Sequence, residues 1–423
     1  MWLSAKYSRL MKIFFLSATI AVVSLILNTQ HTMSPVWYGP YLSAASNIQI
    51  GEPMLVDINE VKHFRDMSVN ERERYQFQES SETTDYTNGH IGFIYLIYIA
   101  KKIFFVASDQ MAIEYLQILV HSLFCSILIV RFPSRRQKLM FLFLYALNPV
   151  IIYYTTFPYY YFWQSVPSFT FLFLITSSVS DLEHPRLLMI GLVALFLLNG
   201  LVILTRPTVI PLVTLIFFLA LLKIKKKRFL VAATTATIIM VIMLDAPMQK
   251  NFWHTPYIGI GGYINPYGIT HLSDNFGYAL YEHETGVELV ASLGGNLYQE
   301  EVMQQWTTLT RSRYLDIAQE NPLMLMRNAA LNVVQSYSIG YLNGAPAWIH
   351  YAVAASGFLV ILALLYSGQY LILLAIGIAG IGFSPYYPPI QSYMFGSFVL
   401  LAFAAISFIE HMACRYIARR AFA

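Results

Sequence analysis

A chain of 423 residues that is 57% hydrophobic and only 12% charged falls well below the roughly 25% charged residues of an ordinary soluble domain. With a mean hydropathy of +0.53, this composition excludes an ordinary soluble enzyme and predicts an all-α integral membrane protein. The net charge of +4 makes no case for nucleic acid as a partner, because the bases sit in short clusters between apolar runs.

Lys6, Arg9 and Lys12 precede the apolar run Ile13–Leu27. Ala44 and Ala45 come too late to form a signal cleavage site, so this run reads as an uncleaved first span. A polar loop follows from about Asn28 to His90. It holds nine carboxylates (Glu52, Asp57, Glu60, Asp66, Glu71, Glu73, Glu79, Glu82 and Asp85) against four bases. Crossing a bilayer takes ~20 apolar residues, and nine further runs reach or approach that length. They are Ala112–Val130, Leu139–Tyr154, Phe162–Ser178, Leu187–Thr205, Val209–Leu222, Phe229–Leu244, Tyr351–Tyr366, Tyr370–Phe383 and Tyr393–Ile409, which makes ten spans in all.

Ile91–Val106 is left out of that count because Lys101 and Lys102 lie in its second half. It reads as a helix lying flat at the interface, with both lysines reaching to headgroups. Arg131, Arg135, Arg136 and Lys138 then face the cytoplasm, as do Arg186, the Lys223–Arg228 cluster and both termini. Sixteen of the 27 Lys and Arg residues fall on that side, as the positive-inside rule expects. Two long segments remain outside: residues 28–111 with the flat helix, and residues 246–350. In the second, Gln299 to Ala318 reads as a helix stopped by Glu320-Asn321-Pro322, and Leu323–Tyr337 reads as a helix apolar enough to lie on the membrane surface.

These two loops hold the candidate chemistry. Asp57 and Glu60 would share a face at the start of a helix, one of them as a general base; the alternative is a surface carboxylate with Asp57 as an N-cap. Asp85 is a third candidate base. Arg206, in Leu204-Thr205-Arg206-Pro207, ends an apolar run. A guanidinium at the hydrocarbon edge calls for a partner such as a lipid phosphate, or reaches out of the membrane at a Pro-marked boundary. Arg311, Arg313 and His90 are further candidates for holding phosphate. The Pro158–Trp163 and Pro385–Pro389 aromatic clusters read as a membrane-interface belt, with sugar stacking as a second use. Cys125 and Cys414 spell neither a disulfide framework nor a metal site, and no cofactor is indicated. The Gly259-Ile260-Gly261-Gly262 run is not a nucleotide loop, since it neither follows a strand nor opens a clear helix.

One span, a long polar loop, six more spans and a second large loop follow one another in this chain. Asn88-Gly89-His90-Ile91-Gly92 runs through to Lys102-Ile103-Phe104-Phe105, then come Ala146-Leu147-Asn148-Pro149 and Leu204-Thr205-Arg206-Pro207. From Ile13 to Asp245 this order resembles the GT-C class of glycosyltransferases, in particular the bacterial family-39-like branch of aminoarabinose and mannosyl transferases that use polyprenyl-phosphate sugars. The resemblance implies a GT-C-like module over residues 1–245, an extracytoplasmic loop region over 246–350, and three spans with a cytoplasmic tail over 351–423. It implies a bacterial inner-membrane enzyme that moves a sugar from a lipid phosphate to an exported glycan or glycolipid, with no nucleotide or metal cofactor. Members of this class place an acidic residue soon after the first span, whereas Trp37–Ala45 has none here. Either Asp57, Glu60 or Asp85 takes that role, or the chain is a relative that has lost catalysis. A polymerase or ligase of lipid-linked polysaccharide would need the same loops and arginines. A lipid or solute transporter would need polar residues at mid-membrane, and the spans offer only Glu114, His121 and, near a boundary, Arg206.

Overall fold

The computed structural model describes residues 2–28, 37–48, 55–85, 90–105, 107–177, 187–224, 227–243, 253–263, 265–269, 272–291 and 294–421. Their regular structure is helical apart from one two-stranded ribbon, in which Leu55 lies opposite Asp85 and Val56 opposite Thr84, antiparallel, and an isolated bridge between Tyr341 and Ile390. Among the described residues four helices are long and apolar enough to cross a membrane: Leu10–Leu27, Asp109–Arg131, Ala347–Tyr366 and Gln391–Tyr416. Their outer faces stay apolar; Phe14, Phe15, Phe358 and Leu359 are more than half exposed. Such continuous apolar exposure suits lipid, not water, and marks an integral membrane protein.

The run read as a span over Leu139–Tyr154 is broken. Arg135–Ala146 and Pro149–Thr156 meet at an angle of 52°, and together they make a fifth candidate span. The cause is Asn148-Pro149. Proline offers no N–H and crowds the preceding turn, the first helix closes in a π turn over Leu142–Ala146, and the Asn148 side chain caps the second by accepting from the Val150 amide at 2.9 Å. The run read as Phe162–Ser178 opens with a 3-10 turn over Tyr160–Gln164 and leaves only the twelve-residue helix Ser165–Thr176. Ile190–Thr205, Pro207–Lys223 and Tyr370–Ile381 are shorter apolar helices.

Ile91–Ile103 is a helix of 13 residues, roughly 20 Å long at 1.5 Å per residue and too short to span. Its buried side (Phe93, Ile94, Leu96, Ile97, Ala100) packs against the Leu187–Thr205, Asp109–Arg131 and Gly39–Ser46 helices. Gly92 is what allows this approach: a Cβ there would overlap the Leu201 carbonyl oxygen and the Thr205 amide. The two lysines part ways. Lys102 lies 5.2 Å from the Tyr98 ring centroid. Lys101, read as reaching to headgroups, instead turns inward and binds Asp109 Oδ2 at 2.9 Å and Ser46 Oγ at 2.7 Å.

Two cations close the C-terminal end of Ser165–Thr176. Lys223 Nζ donates to the Leu174 carbonyl at 2.7 Å, and Arg131 donates to the Phe173 carbonyl at 2.8 Å. Positive charge beside exposed C-terminal carbonyls is the favourable arrangement at that end of a helix. In the second large loop the expected helices are Glu300–Glu320 and Pro322–Gln335. The latter turns Leu323 and Met326 outward and buries Asn328, Asn332 and Gln335 against Ala347–Tyr366. The Gly259–Gly262 run ends the helix His254–Gly259 in a 3-10 turn, with no strand before it among the described residues.

Candidate functional site

The helix ending at Thr205 stops because the residue before a proline avoids the helical region. Arg206 takes an extended conformation (φ −152, ψ 96) and Pro207 starts a 3-10 turn. This break turns the Arg206 side chain inward, where it is only 7% exposed. Its guanidinium carbon lies 3.8 Å from the Tyr393 ring centroid and 5.5 Å from that of Tyr160. Nε has no hydrogen-bond partner among the described residues. Aromatic faces attract a cation, and the Tyr160 and Tyr393 hydroxyls hydrogen-bond the guanidinium, which leaves Nε as its one buried donor still to be satisfied among the described residues.

An acceptor for Nε has a place to come from. Arg206 borders a cavity of about 440 Å³ whose walls include His90, Tyr160, Thr208, Thr255, Tyr386 and Tyr393. No carboxylate is among the described lining residues. The cavity therefore presents one fixed positive charge, hydroxyl groups and ring faces, which is the chemistry that receives an anion.

His90 ties the first loop to this cavity. It sits in the left-handed region at φ 64, stacks on Tyr160 with ring centroids 4.0 Å apart, and its Nδ1–H donates to the Thr205 carbonyl. That donation leaves Nε2 as the acceptor nitrogen. Burial pushes the imidazole down to about 4, Arg206 pushes the same way, and the Thr205 hydrogen bond only partly opposes them. His90 is neutral at physiological pH.

Asp57 and Glu60 lie elsewhere. Asp57 caps the Ile58–Asp66 helix: Oδ1 accepts from the Glu60 amide at 2.9 Å and Oδ2 from the Ser80 hydroxyl at 2.7 Å. Burial raises the carboxyl, but the Glu60, Ser80 and Asn59 hydrogen bonds outweigh it and hold it below its ordinary value. Its alternative reading as an N-cap is the one seen. Glu60 Oε1 accepts from the Tyr75 hydroxyl and the Gln78 amide, each at 3.0 Å, while Oε2 is buried without a partner. Burial raises the Glu60 carboxyl more than those hydrogen bonds lower it. Asp85 is described by its backbone alone, paired with Leu55.

Arg311 lies 5.5 Å from the Trp253 ring, and Arg313 borders a separate cavity of about 650 Å³ with Tyr267, Glu284 and Asp316. Of the residues singled out in the sequence, the structure thus brings His90 and Arg206 together and leaves Asp57, Glu60, Arg311 and Arg313 outside their cavity wall. It adds Tyr160, Tyr386 and Tyr393. Tyr159 and Tyr160 are each 6% exposed, so this cluster faces inward, where the sequence suggested a belt at the membrane surface. The signal that marks them is the prolines beside the clusters (Pro158, Pro385), which break helices as Pro207 does. Among the described residues no three His, Cys, Asp or Glu side chains gather as metal ligands. Comparisons with protein-family models, with curated proteins and with solved structures find no match to this chain.

Proposed function

We propose that this protein is a GT-C-like glycosyltransferase that moves a sugar from a polyprenyl phosphate to an exported glycan or glycolipid. In this reading ten spans hold it in a bacterial inner membrane with both termini in the cytoplasm. The observation that carries the proposal is Arg206: a buried guanidinium with an unpartnered Nε, facing a cavity at the end of an apolar helix. A phosphate anchored by a lipid tail supplies the acceptor that Nε of Arg206 lacks. When the sugar leaves, negative charge grows on that phosphate, and a fixed cation in a site shielded from water stabilises it. The tyrosine rings offer flat faces to the sugar or the isoprenoid.

A second reading has its own observation. With no carboxylate in the described cavity wall, the same site would suit a protein that binds lipid phosphate without transferring sugar, or a ligase whose base lies elsewhere. Mass spectrometry of surface glycans and polyprenyl-phosphate lipids, from a strain lacking the protein and from its parent, separates these readings. The transferase reading expects one sugar to vanish from a glycan while its lipid-linked donor accumulates, with wild-type protein but not Arg206→Ala restoring it. A change in glycan chain length at constant composition points to a polymerase or ligase. Unchanged pools, with the protein present in the parent, sink the enzyme reading.

A further inference from the structure

Among the described side chains that line the Arg206 cavity, His90 alone presents a group that can only accept a hydrogen bond. Tyr160, Thr208, Thr255, Tyr386 and Tyr393 carry hydroxyls, which donate or accept, and the Arg206 guanidinium only donates. His90 gives its Nδ1–H to the Thr205 carbonyl, and burial beside Arg206 keeps the imidazole neutral. Nε2 is left as a bare lone pair.

That lone pair is held in place from several sides. The two ring nitrogens point nearly opposite ways, so with Nδ1 turned to Thr205, Nε2 faces away from that helix end. Tyr160 covers one ring face with centroids 4.0 Å apart, and the Tyr41 ring stands 6.0 Å off. Two residues on, Gly92 sits against the Leu201 carbonyl and the Thr205 amide and pins the start of its helix there. His90 is also the one non-glycine residue with positive φ among those described. Such a conformation persists where the surroundings over-determine it, and it gathers at ligand sites. No described residue donates to Nε2, and it is not sealed inside the protein as His254 Nδ1 and His350 Nδ1 are. Thr205 directly precedes Arg206, so one turn of chain sets both the acceptor and the cation.

These two groups make different demands on a ligand. Phosphate oxygens accept from Arg206 Nε and from the wall's hydroxyls. They bring nothing to Nε2, since a lone pair cannot bond a lone pair. A sugar joined to the phosphate carries hydroxyl donors beside it and satisfies both groups together. We propose that His90 is a specificity-determining residue whose Nε2 accepts from a hydroxyl of the sugar, so that the cavity takes a glycosyl phosphate in preference to the bare lipid phosphate. The inference rests on the transferase reading and deepens it. A site built to bond a hydroxyl rejects the analogue that lacks it, because its own polar group is then left unpaired. After transfer the hydroxyls depart with the sugar, and the spent carrier becomes the weaker ligand.

The test measures binding to the purified full-length protein by native mass spectrometry. The probes are undecaprenyl phosphate, its methyl diester, and its diesters with mannose, glucose, galactose and aminoarabinose. The methyl diester has the charge of a glycosyl diester but no hydroxyl. At least one glycosyl lipid is expected to bind about tenfold tighter than the methyl diester, the usual effect of pairing a buried polar group. His90→Asn tolerates a left-handed backbone, and its amide nitrogen can replace Nδ1 at Thr205. It should lose that preference while methyl-diester binding and melting temperature hold. His90→Gln, whose amide oxygen can replace Nε2, should keep the preference and melt lower. A merely structural histidine would weaken all the lipids alike in both variants. Equal binding of every lipid to wild-type protein, or a full preference in His90→Asn, overturns the proposal. If binding still falls in Arg206→Ala, the transferase reading outlives that result. Lipid binding that ignores Arg206→Ala removes both.

Discussion

Asp57 and His90 each do a structural task whose loss can be measured. Asp57→Ala removes an N-cap and leaves the Glu60 amide and the Ser80 hydroxyl without an acceptor. It should lower stability by about 1 kcal/mol, read as a drop in melting temperature, with glycan transfer kept; loss of transfer at unchanged stability would return Asp57 to the site. His90 is neutral in the fold, its pKa depressed from 6.5 to about 4. A group depressed on folding contributes stability that is full above its unfolded pKa and is lost as pH falls through the folded one. The contribution, about 3 kcal/mol at most, should therefore fade between pH 6.5 and 4. Thermal melts across that range should show His90→Gln flattening the decline. Arg206 was legible in the sequence because a lone cation beside a proline at the end of an apolar run has few bland explanations. Tyr160 and Tyr393 were not, since a tyrosine at a span end has the same local pattern whether it faces headgroups or a buried guanidinium.

At the scale of helices, the approach of Ile91–Ile103 to Leu187–Thr205 depends on Gly92. Gly92→Ala forces the backbones apart, costing ~1–3 kcal/mol as overpacking does, and should loosen His90 from the Thr205 carbonyl. The expected result is a lower melting temperature with weaker undecaprenyl-phosphate binding; a normal melt with normal binding would show that the contact is not required. Apolar runs and proline positions were enough to place most helices, and the Asn148-Pro149 break was spelled out, although a run of unbroken hydropathy from Leu139 to Tyr154 conceals the bend. Lys101 was misjudged for a reason of distance: its partner Asp109 lies eight residues on, across a turn that helical periodicity does not describe. The Ile91–Ile103 helix falls short of a span by its length of 13 residues.

For the whole molecule the untested quantity is sidedness. In a Cys125→Ser, Cys414→Ser background, single cysteines placed at Arg136 and at Asp316 should react with a membrane-impermeant thiol reagent from opposite faces of the bilayer. The Arg136 cysteine should be protected in intact cells. Labelling of both from one side would rule out the ten-span arrangement. Among the described residues four helices meet the length and apolarity of a span by themselves, and one bent pair makes a fifth. The others are short or broken, so hydropathy alone gives their existence more reliably than their path through the membrane.

The pairing of Arg206 with Tyr393 also fixes an order of events during synthesis. Arg206 closes a helix in the first half of the chain, whereas Tyr393 belongs to Gln391–Ala421, the last helix described. While the ribosome is still making the intervening segments, that guanidinium has one side of its aromatic box missing. The nascent protein must keep it near water or lipid headgroups until the final helix inserts. A chain that stops before residue 391 would leave that box unfinished around a charged side chain.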